Sequence, residues 1–196
     1  MKKRMVQLST QGLLLLAIGA ALCLTNCKGG RTGEVSLDEI EHTKAQLDQL
    51  LAGQQLTGEY LTKFDTLDFV VFSHQEWARF HETHDQNIKV YWPDGHYTVG
   101  LEKHIEDMKA MFVYAPDTRI KEHPIRFGSG KFTAVTGVFE GTFTKPMPVG
   151  NGKFIQPTGK SFSIPMCTIG IWENGVMVEE HLFWDGQTYM KQMGVQ

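Results

Sequence analysis

Three ionisable side chains near the end of the chain form the first candidate site. Glu179, His181 and Asp185 lie in a largely apolar run that includes Met177 and Phe183. Because side chains of a β-strand alternate between its two faces, these five residues would share one face. Carboxylates and an imidazole among apolar groups are typical of a ligand pocket, in which a few polar groups orient the ligand. The alternative is a solvated sheet face, or a dimer interface with paired charges.

His181 and Asp185 are not expected to bond to each other in this arrangement. They are four residues apart, which is roughly 13 Å along a strand. We therefore expect them to flank a ligand, or each to pair with a group from another element.

A second group contains His81, His84 and Asp85. The two histidines are three residues apart, so they do not match the H-E-x-x-H zinc-protease motif, whose histidines need a spacing of four. Three interpretations stay open: metal ligation by all three residues, a buried histidine with a structural hydrogen bond, or one histidine that lines a cavity. His96 and His123 have no partners nearby in the sequence, and we expect both at the surface.

Composition and missing motifs exclude several functional classes. The formal net charge is −3 and the isoelectric point is about 6.2, which leaves no basic surplus for binding nucleic acid. Gly150-Asn-Gly-Lys153 lacks the spacing of a phosphate-binding loop, and neither a G-x-S-x-G nor a G-x-G-x-x-G motif occurs. The numerous methionine and aromatic residues fit either an ordinary core or a cavity for a bulky apolar ligand.

The elements that position these residues begin with helices. All seven prolines lie at or after position 93, so the preceding part of the chain is free to be helical. Ser36 and Glu39 form a capping box ahead of a stripe of leucine and isoleucine at helical spacing. Ser73 and Glu76 predict a second capped helix, which would continue to about His84.

Strands predominate after one further helix. That helix begins near Leu101 and must end before Pro116. Beyond it the hydrophobic period changes from about 3.6 to about 2 residues, and Asn174-Gly175 is a strong hairpin signal. The predicted strands are 87–92, 118–127, 131–144, 160–172 and 176–185. Helices followed by long antiparallel strands predict an α+β fold, in which a curved sheet packs on the N-terminal helices.

The N-terminal segment has the pattern of a bacterial lipoprotein signal. Lys2-Lys3-Arg4 precedes an apolar stretch of thirteen residues, Gly12 to Leu24. This stretch spans about 20 Å as a helix, which is short of the ~30 Å hydrocarbon layer. Leu24-Thr25-Asn26-Cys27 resembles a lipobox, in which the cysteine becomes the lipidated first residue. An uncleaved membrane anchor is the alternative.

This pattern predicts three segments and an envelope location. We expect a signal peptide over 1–26, lipidated Cys27 and a flexible tether over 27–35, and one folded domain over 36–196. The lipid would be the sole contact with the membrane. Because Lys28 rather than Asp follows the cysteine, resemblance to lipoprotein sorting in many Gram-negative bacteria favours the outer membrane.

The order of several short motifs carries a family resemblance. These motifs are Tyr91-Trp92-Pro93-Asp94-Gly95, Gly100-Leu-Glu-Lys-His104, Pro116-Asp117, Gly141-Thr142-Phe143, Pro157-Thr158-Gly159-Lys160, Asn174-Gly175, Glu179-Glu180-His181-Leu-Phe-Trp-Asp185 and Gln192-Met193-Gly194. From about Trp77 to Gly194 the chain resembles the SnoaL-like polyketide cyclase family, within the nuclear transport factor 2-like superfamily. The resemblance implies a cone-shaped α+β fold with a strongly curved antiparallel sheet, N-terminal helices around one deep pocket, and frequent dimerisation through the sheet.

The resemblance also implies acid–base catalysis without a cofactor or a metal, on a small apolar carbonyl compound. Asp185 would be the pocket carboxylate that moves protons, its pKa raised by desolvation, with His181 and Glu179 on the same face. The ligand-binding residues would be His84, Trp92, Met111, Phe143, Met166 and Trp184. The alternative is an envelope lipoprotein that binds a small apolar molecule without chemistry. We expect a homodimer and no nucleic-acid partner.

Replacing Cys27 by serine tests the lipoprotein prediction. Serine cannot accept the thioether-linked lipid, so we expect Cys27→Ser to leave an uncleaved precursor or to release the protein from membrane extracts. Mass spectrometry of the N-terminus and membrane fractionation measure both outcomes. A mature wild-type chain that begins elsewhere and carries no lipid would contradict the prediction.

Overall fold

The computed structural model describes residues 35–195. The predicted signal peptide, Cys27 and all of the tether except residue 35 lie outside the described residues. Among the helices of residues 35–195, none is both long enough and apolar enough to cross a membrane. From residue 47 onward the chain forms one compact unit, which holds every residue of the candidate active site.

Helix α1 spans Leu37–Thr66 and begins with the predicted capping box. The Glu39 backbone N–H donates to Ser36 Oγ at 3.2 Å, and the Ser36 N–H donates to Glu39 Oε2 at 3.1 Å. The chain then continues directly into π-helical turns over Leu67–Phe72. Tyr60 and Phe64 of α1 are buried together with Leu67, so the end of α1 and the π-helical turns share one apolar face.

The predicted second capping box is wrong. The Ser73 hydroxyl donates to the Asp68 carbonyl at 2.6 Å and accepts from the Ile120 N–H at 2.9 Å, so it does not cap the start of a following helix. A 3-10 helix over Trp77–Glu82 takes the place of the predicted helix. His84 consequently begins a strand rather than ending a helix.

Two further α-helices lie later in the chain. Helix α2 spans Leu101–Tyr114 and ends before Pro116, as predicted. Gly100, whose φ of 102° favours glycine, precedes it. Helix α3 spans Gly186–Met193 and has Asp185 at its N-cap.

The predicted α+β architecture with a curved sheet is confirmed. Within residues 35–195 the main sheet has seven strands, namely β1 (His84–Tyr91), β2 (Tyr97–Val99), β3 (Arg119–Ile120), β4 (Arg126–Ser129), β5 (Phe132–Thr142), β8 (Ser161–Glu173) and β9 (Val176–Trp184). They lie in the order β2-β1-β9-β8-β5-β3, and β4 pairs with β5. Strands β1 and β9 are parallel, whereas the other pairs in this sheet are antiparallel. A separate two-stranded ribbon consists of β6 (Met147–Pro148) and β7 (Phe154–Ile155).

The hairpin between β8 and β9 turns at Asn174-Gly175, as predicted. The φ values of 50° at Asn174 and 88° at Gly175 are both positive, as a tight two-residue hairpin turn requires. Lys63 of α1 donates to the Gly175 carbonyl at 2.6 Å. This bond ties the turn to the helix that covers the sheet.

A β-bulge in β9 decides which side chains face the helices. Ile171 of β8 pairs with Glu179, but the next residue, Trp172, pairs with Met177. Val178 is therefore an extra residue on β9, and the alternation of side chains restarts after it. Met177 is fully buried and Glu180 is only 5% exposed, so both lie on the covered face of the sheet.

Candidate active site

A cavity lies between the covered face of the sheet, the π-helical turns and α2. Its volume of about 50 Å³ exceeds the roughly 10–15 Å³ that one water molecule needs. Five lining residues are polar: Asp68, His84, His104, Thr168 and Glu180. The rest are apolar: Leu67, Phe72, Phe80, Met108, Met111, Ile120, Phe139, Met166, Leu182 and Trp184.

His84, His104 and Glu180 form a buried polar cluster on one side of this cavity. They come from the start of β1, the first turn of α2 and the middle of β9. Glu180 Oε2 lies 3.2 Å from His104 Nε2 and 3.9 Å from His84 Nε2. Their side chains are between 0% and 6% exposed, so solvent does not screen their interactions.

This cluster holds a carboxylate next to a neutral imidazole. Burial raises the pKa of Glu180, but the two imidazoles more than offset that effect and bring the pKa below its ordinary value. Burial lowers the pKa of His104 to about 4, although the charge of Glu180 acts in the opposite direction. Near neutral pH, Glu180 is therefore ionised and the ring of His104 is uncharged.

Asp68 and His123 form a second polar group, which runs from the cavity to the surface. Asp68 Oδ2 lies 2.8 Å from His123 Nε2, and His123 Nδ1 lies 2.8 Å from Asp65 Oδ1. Arg126 pairs with the other oxygen of Asp65. The side chains of His123 and Asp68 are 1% and 10% exposed, whereas those of Asp65 and Arg126 are 26% and 46% exposed, so the outer two groups reach solvent.

The two hydrogen bonds of the His123 ring require two protons, shared among Asp68, His123 and Asp65. A neutral imidazole carries one N–H, yet both ring nitrogens of His123 are within hydrogen-bond distance of a carboxylate oxygen. Burial raises the pKa of Asp68, and the bond to His123 offsets only part of the increase. Burial acts to lower the pKa of His123, but Asp68 and Asp65 raise it above its ordinary value. The group therefore retains a proton that free side chains would release.

The structure corrects the prediction that Asp185, His181 and Glu179 share the cavity. Asp185 is exposed, and its carboxylate accepts from the Gln187 N–H at 2.9 Å and from the Thr188 hydroxyl at 2.8 Å. These helix-capping bonds hold the pKa of Asp185 below its ordinary value, whereas the sequence prediction needed it raised.

His181 and Glu179 lie outside the cavity because of the bulge in β9. His181 Nε2 is 3.5 Å from Glu179 Oε2, and the His181 ring stacks on Tyr91 with centroids 4.3 Å apart. Strict alternation from Met177 predicted the opposite face, and the extra residue at Val178 reverses it.

Four of the six predicted ligand-binding residues line the cavity, namely His84, Met111, Met166 and Trp184. Trp92 and Phe143 do not line it. Trp92 stacks on His96 with centroids 5.8 Å apart, and Phe143 is fully buried in the core.

The two other residues of the His81–His84–Asp85 group point elsewhere. His81 is exposed and its Nδ1 lies 2.6 Å from the Ala78 carbonyl. Asp85 accepts from the Asn87 N–H at 2.8 Å. The geometry does not support metal ligation by all three residues, whereas His84 alone fits both other interpretations, because it is buried with a hydrogen bond at Nδ1 and also lines the cavity.

Sequence reasoning missed Asp68, His104, Glu180 and His123 as site residues. His104 carried a usable signal, because it lies between Leu101 and Met108 on the apolar face of α2. Glu180 interrupts an otherwise apolar set of positions in β9. The pairing of Asp68 with His123 spans 55 residues, so no local sequence pattern could have indicated it. The predicted surface position of His123 is wrong, because its side chain is only 1% exposed.

The raised pKa of His123 predicts how stability changes with pH. A raised folded-state pKa adds stability that is complete below the unfolded value of about 6.5 and disappears as pH rises through the folded value. We therefore expect the free energy of unfolding to fall with rising pH above neutrality in the wild type, but less in His123→Gln. Urea titrations from about pH 6 to about pH 9 measure this difference. His81→Gln, which removes an exposed imidazole, is the control, and parallel profiles for wild type and His123→Gln would contradict the prediction.

Comparison with known proteins agrees with this fold. The profile of the SnoaL-like polyketide cyclase family matches residues 65–193. A protein from Jannaschia named as a SnoaL-like polyketide cyclase has 16% identity and a TM-score of 0.63, and the match covers 72% of this chain and 95% of that one. IdmH from Streptomyces antibioticus, named as a polyketide cyclase, has 18% identity and a TM-score of 0.57 over 71% of this chain and 99% of its own.

A third similar structure carries a different name. A Catenulispora acidiphila protein with a ketosteroid isomerase-like fold, solved with trimethylamine, has 11% identity and a TM-score of 0.54 over 70% of this chain and 93% of its own. No curated protein sequence matches the chain. The family profile covers more than half of the chain, from the end of α1 to the end of α3, and the chain therefore belongs to the SnoaL-like polyketide cyclase family.

Proposed function

We propose that the cavity catalyses proton transfer, of the kind a cyclase or isomerase needs, on a small and largely apolar carbonyl compound. Family membership supports cyclase- or isomerase-type chemistry in general. The observation that carries the specific proposal is the series Asp68–His123–Asp65, which links a carboxyl group in an apolar cavity to the surface.

Asp68 is the proton-transferring group in this proposal. A general acid–base catalyst works best when its pKa is near the working pH, and burial moves the pKa of Asp68 upward from its ordinary acidic value. Asp68 lines the cavity, so its carboxyl group can reach a bound molecule. It would accept a proton from a carbon next to the carbonyl group and return it at another position.

His123 and Asp65 would position Asp68 and exchange its proton with solvent. The hydrogen bonds from His123 to Asp65 and to Asp68 are both 2.8 Å long, so the imidazole is held in one orientation between two carboxyl groups. Asp65 is partly exposed, which places the outer end of the series in contact with water.

The polar cluster of His84, His104 and Glu180 would hold the oxygen of the substrate. These groups lie in the same cavity as Asp68. An imidazole N–H can donate to a carbonyl oxygen, and the Glu180 carboxylate can accept from a hydroxyl group of an enol or alcohol. The substrate would thereby be oriented with its reactive carbon toward Asp68.

The apolar wall limits the size and the character of the substrate. The cavity has a volume of about 50 Å³, which favours a small compound or the end of a larger one. Met108, Met111 and Met166 line it, and unbranched thioether side chains adapt readily to ligands of different shape.

We also propose that the domain works at the bacterial cell envelope, anchored through lipidated Cys27, and that it forms a homodimer. The basic start, the short apolar stretch and the lipobox-like Leu24-Thr25-Asn26-Cys27 support the anchor. The dimer rests on the family resemblance alone.

Replacing Asp68 by asparagine tests the catalytic role. Acetone, which suits the small cavity, serves as a probe in deuterium oxide, because a general base exchanges the hydrogens next to its carbonyl group and proton NMR follows their loss. Asparagine keeps the shape of the side chain but cannot accept the proton, so we expect the catalysed rate to fall roughly 10²–10⁴-fold. Asp185→Asn, which changes an exposed helix cap, should leave the rate unchanged.

Two results would contradict this assignment. A loss of exchange in Asp185→Asn with full activity in Asp68→Asn would show that Asp185, rather than Asp68, transfers the proton. Binding of ketones by the wild type without any catalysed exchange would indicate a protein that binds its ligand without chemistry.

A further inference from the structure

His84, His104 and Glu180 present three converging donor atoms in the cavity. One nitrogen or oxygen of each residue lies within 4.8 Å of the corresponding atoms of the other two. A metal ion at about 2.0–2.2 Å from each donor in a tetrahedral site would hold the donors roughly 3.4 Å apart. The observed separations of 3.2 Å and 3.9 Å from Glu180 Oε2 bracket this distance.

Two of these donor atoms lack the partner that buried polar atoms normally have. Within residues 35–195, His84 Nε2 and Glu180 Oε2 make no hydrogen bond. Both side chains are more than nine-tenths buried and both line the cavity. Buried polar atoms in proteins are almost always paired with protein, water or an ion, so an unpaired nitrogen facing an unpaired oxygen indicates a ligand between them.

The opposite nitrogen of His84 is held as in many metal-binding histidines. His84 Nδ1 lies 3.2 Å from the Phe80 carbonyl and 2.9 Å from Thr83 Oγ1. A proton on Nδ1, donated to that carbonyl, leaves the lone pair on Nε2 and aims it at Glu180. Bonds of this kind fix the tautomer and the ring orientation of metal-binding histidines. His104 has no such anchor among the described residues, because its Nδ1 is unpaired.

We propose that His84, His104 and Glu180 bind one divalent transition-metal ion, with Zn²⁺ or Fe²⁺ as the best match to two imidazoles and one carboxylate. Imidazole and carboxylate together suit these ions better than Mg²⁺ or Ca²⁺, which prefer an all-oxygen shell. The site departs from the metal-free domain expected from the sequence, and it uses His84 with two residues that the His81–His84–Asp85 interpretation did not include.

Three protein ligands leave at least one coordination position open. The donors line the cavity together with Asp68, so the open position would face the space proposed for the substrate. A metal ion there would bind and polarise a carbonyl oxygen, which makes the neighbouring carbon more acidic. This inference deepens the proposed function, but metal binding is measured without turnover and can therefore succeed or fail separately.

Calorimetric titration with Zn²⁺ tests the site. The full chain without a histidine tag is first stripped with a chelator and then titrated with Zn²⁺ alone. We expect one ion per chain, and a weakening of at least 100-fold in Glu180→Gln and in His104→Gln, because each substitution removes one of three ligands. The control is His96→Gln, which removes an exposed imidazole that also contacts a carboxylate, that of Asp94, and should bind Zn²⁺ like the wild type.

Co²⁺ provides a second measurement that needs no variant to fold. Addition of Co²⁺ to the stripped wild-type chain should produce the intense visible absorption of a four- or five-coordinate site, and equimolar Zn²⁺ should abolish it. The absence of saturable Zn²⁺ binding, or equal affinity in Glu180→Gln and the wild type, would overturn the proposal. Ketone exchange that depends on Asp68 in a chain that binds no Zn²⁺ would overturn the metal site and leave the proposed function standing.

Discussion

Two carboxyl groups, those of Glu180 and Asp68, are buried in a largely apolar cavity. A carboxylate loses its hydration when it is buried, and the loss is large unless other groups replace the water. Glu180 is 5% exposed and Asp68 is 7% exposed, so each needs partners from elsewhere in the fold. Glu180 is met by imidazoles from β1 and α2, and Asp68 by His123. The positions of these elements are thereby coupled through charge as well as through apolar packing.

Two irregularities of the backbone place the two carboxylates in one cavity. The bulge at Val178 turns Glu180 toward the helices, and the π-helical turns over Leu67–Phe72 place Asp68 in the lining of the same cavity. π-helical turns and β-bulges are both common at functional sites. The surroundings then separate the two groups chemically, because imidazoles lower the pKa of Glu180 while burial raises that of Asp68. Pairs of titratable groups with opposite shifts are typical of acid–base sites.

Much of the fold could be predicted from local patterns in the sequence. The capping box at Ser36, the end of α2 before Pro116 and the hairpin at Asn174-Gly175 each rest on a physical preference of a few neighbouring residues, and each is present in the structure. The polar side of the site could not be predicted in this way. A single extra residue in β9 exchanged the two faces of the strand, so Glu180 replaced Glu179 and His181 in the cavity.

Asp185 and His123 are two further residues whose roles could not be predicted from their neighbours in the sequence. Asp185 looked like a pocket carboxylate at the end of a strand, but the residue after a strand is equally suited to cap the next helix, and capping is what it does. His123 looked isolated, because both of its partners are more than fifty residues away in the sequence. Pairings over such distances follow from the packing of α1 against the sheet, and no local pattern contains them.

A titration of the aspartate carboxyl carbons by ¹³C NMR distinguishes Asp68 from Asp185 as the proton-transferring group. In one spectrum series on the chelator-stripped protein, Asp68 and Asp185 can be assigned by their Asn variants and followed through the acidic and neutral range. We expect Asp68 to titrate above the ordinary aspartate value of about 3.9 and Asp185 to titrate below it. An ordinary or lowered pKa for Asp68, together with a raised pKa for Asp185, would rule out Asp68 as the proton-transferring group and favour Asp185 instead.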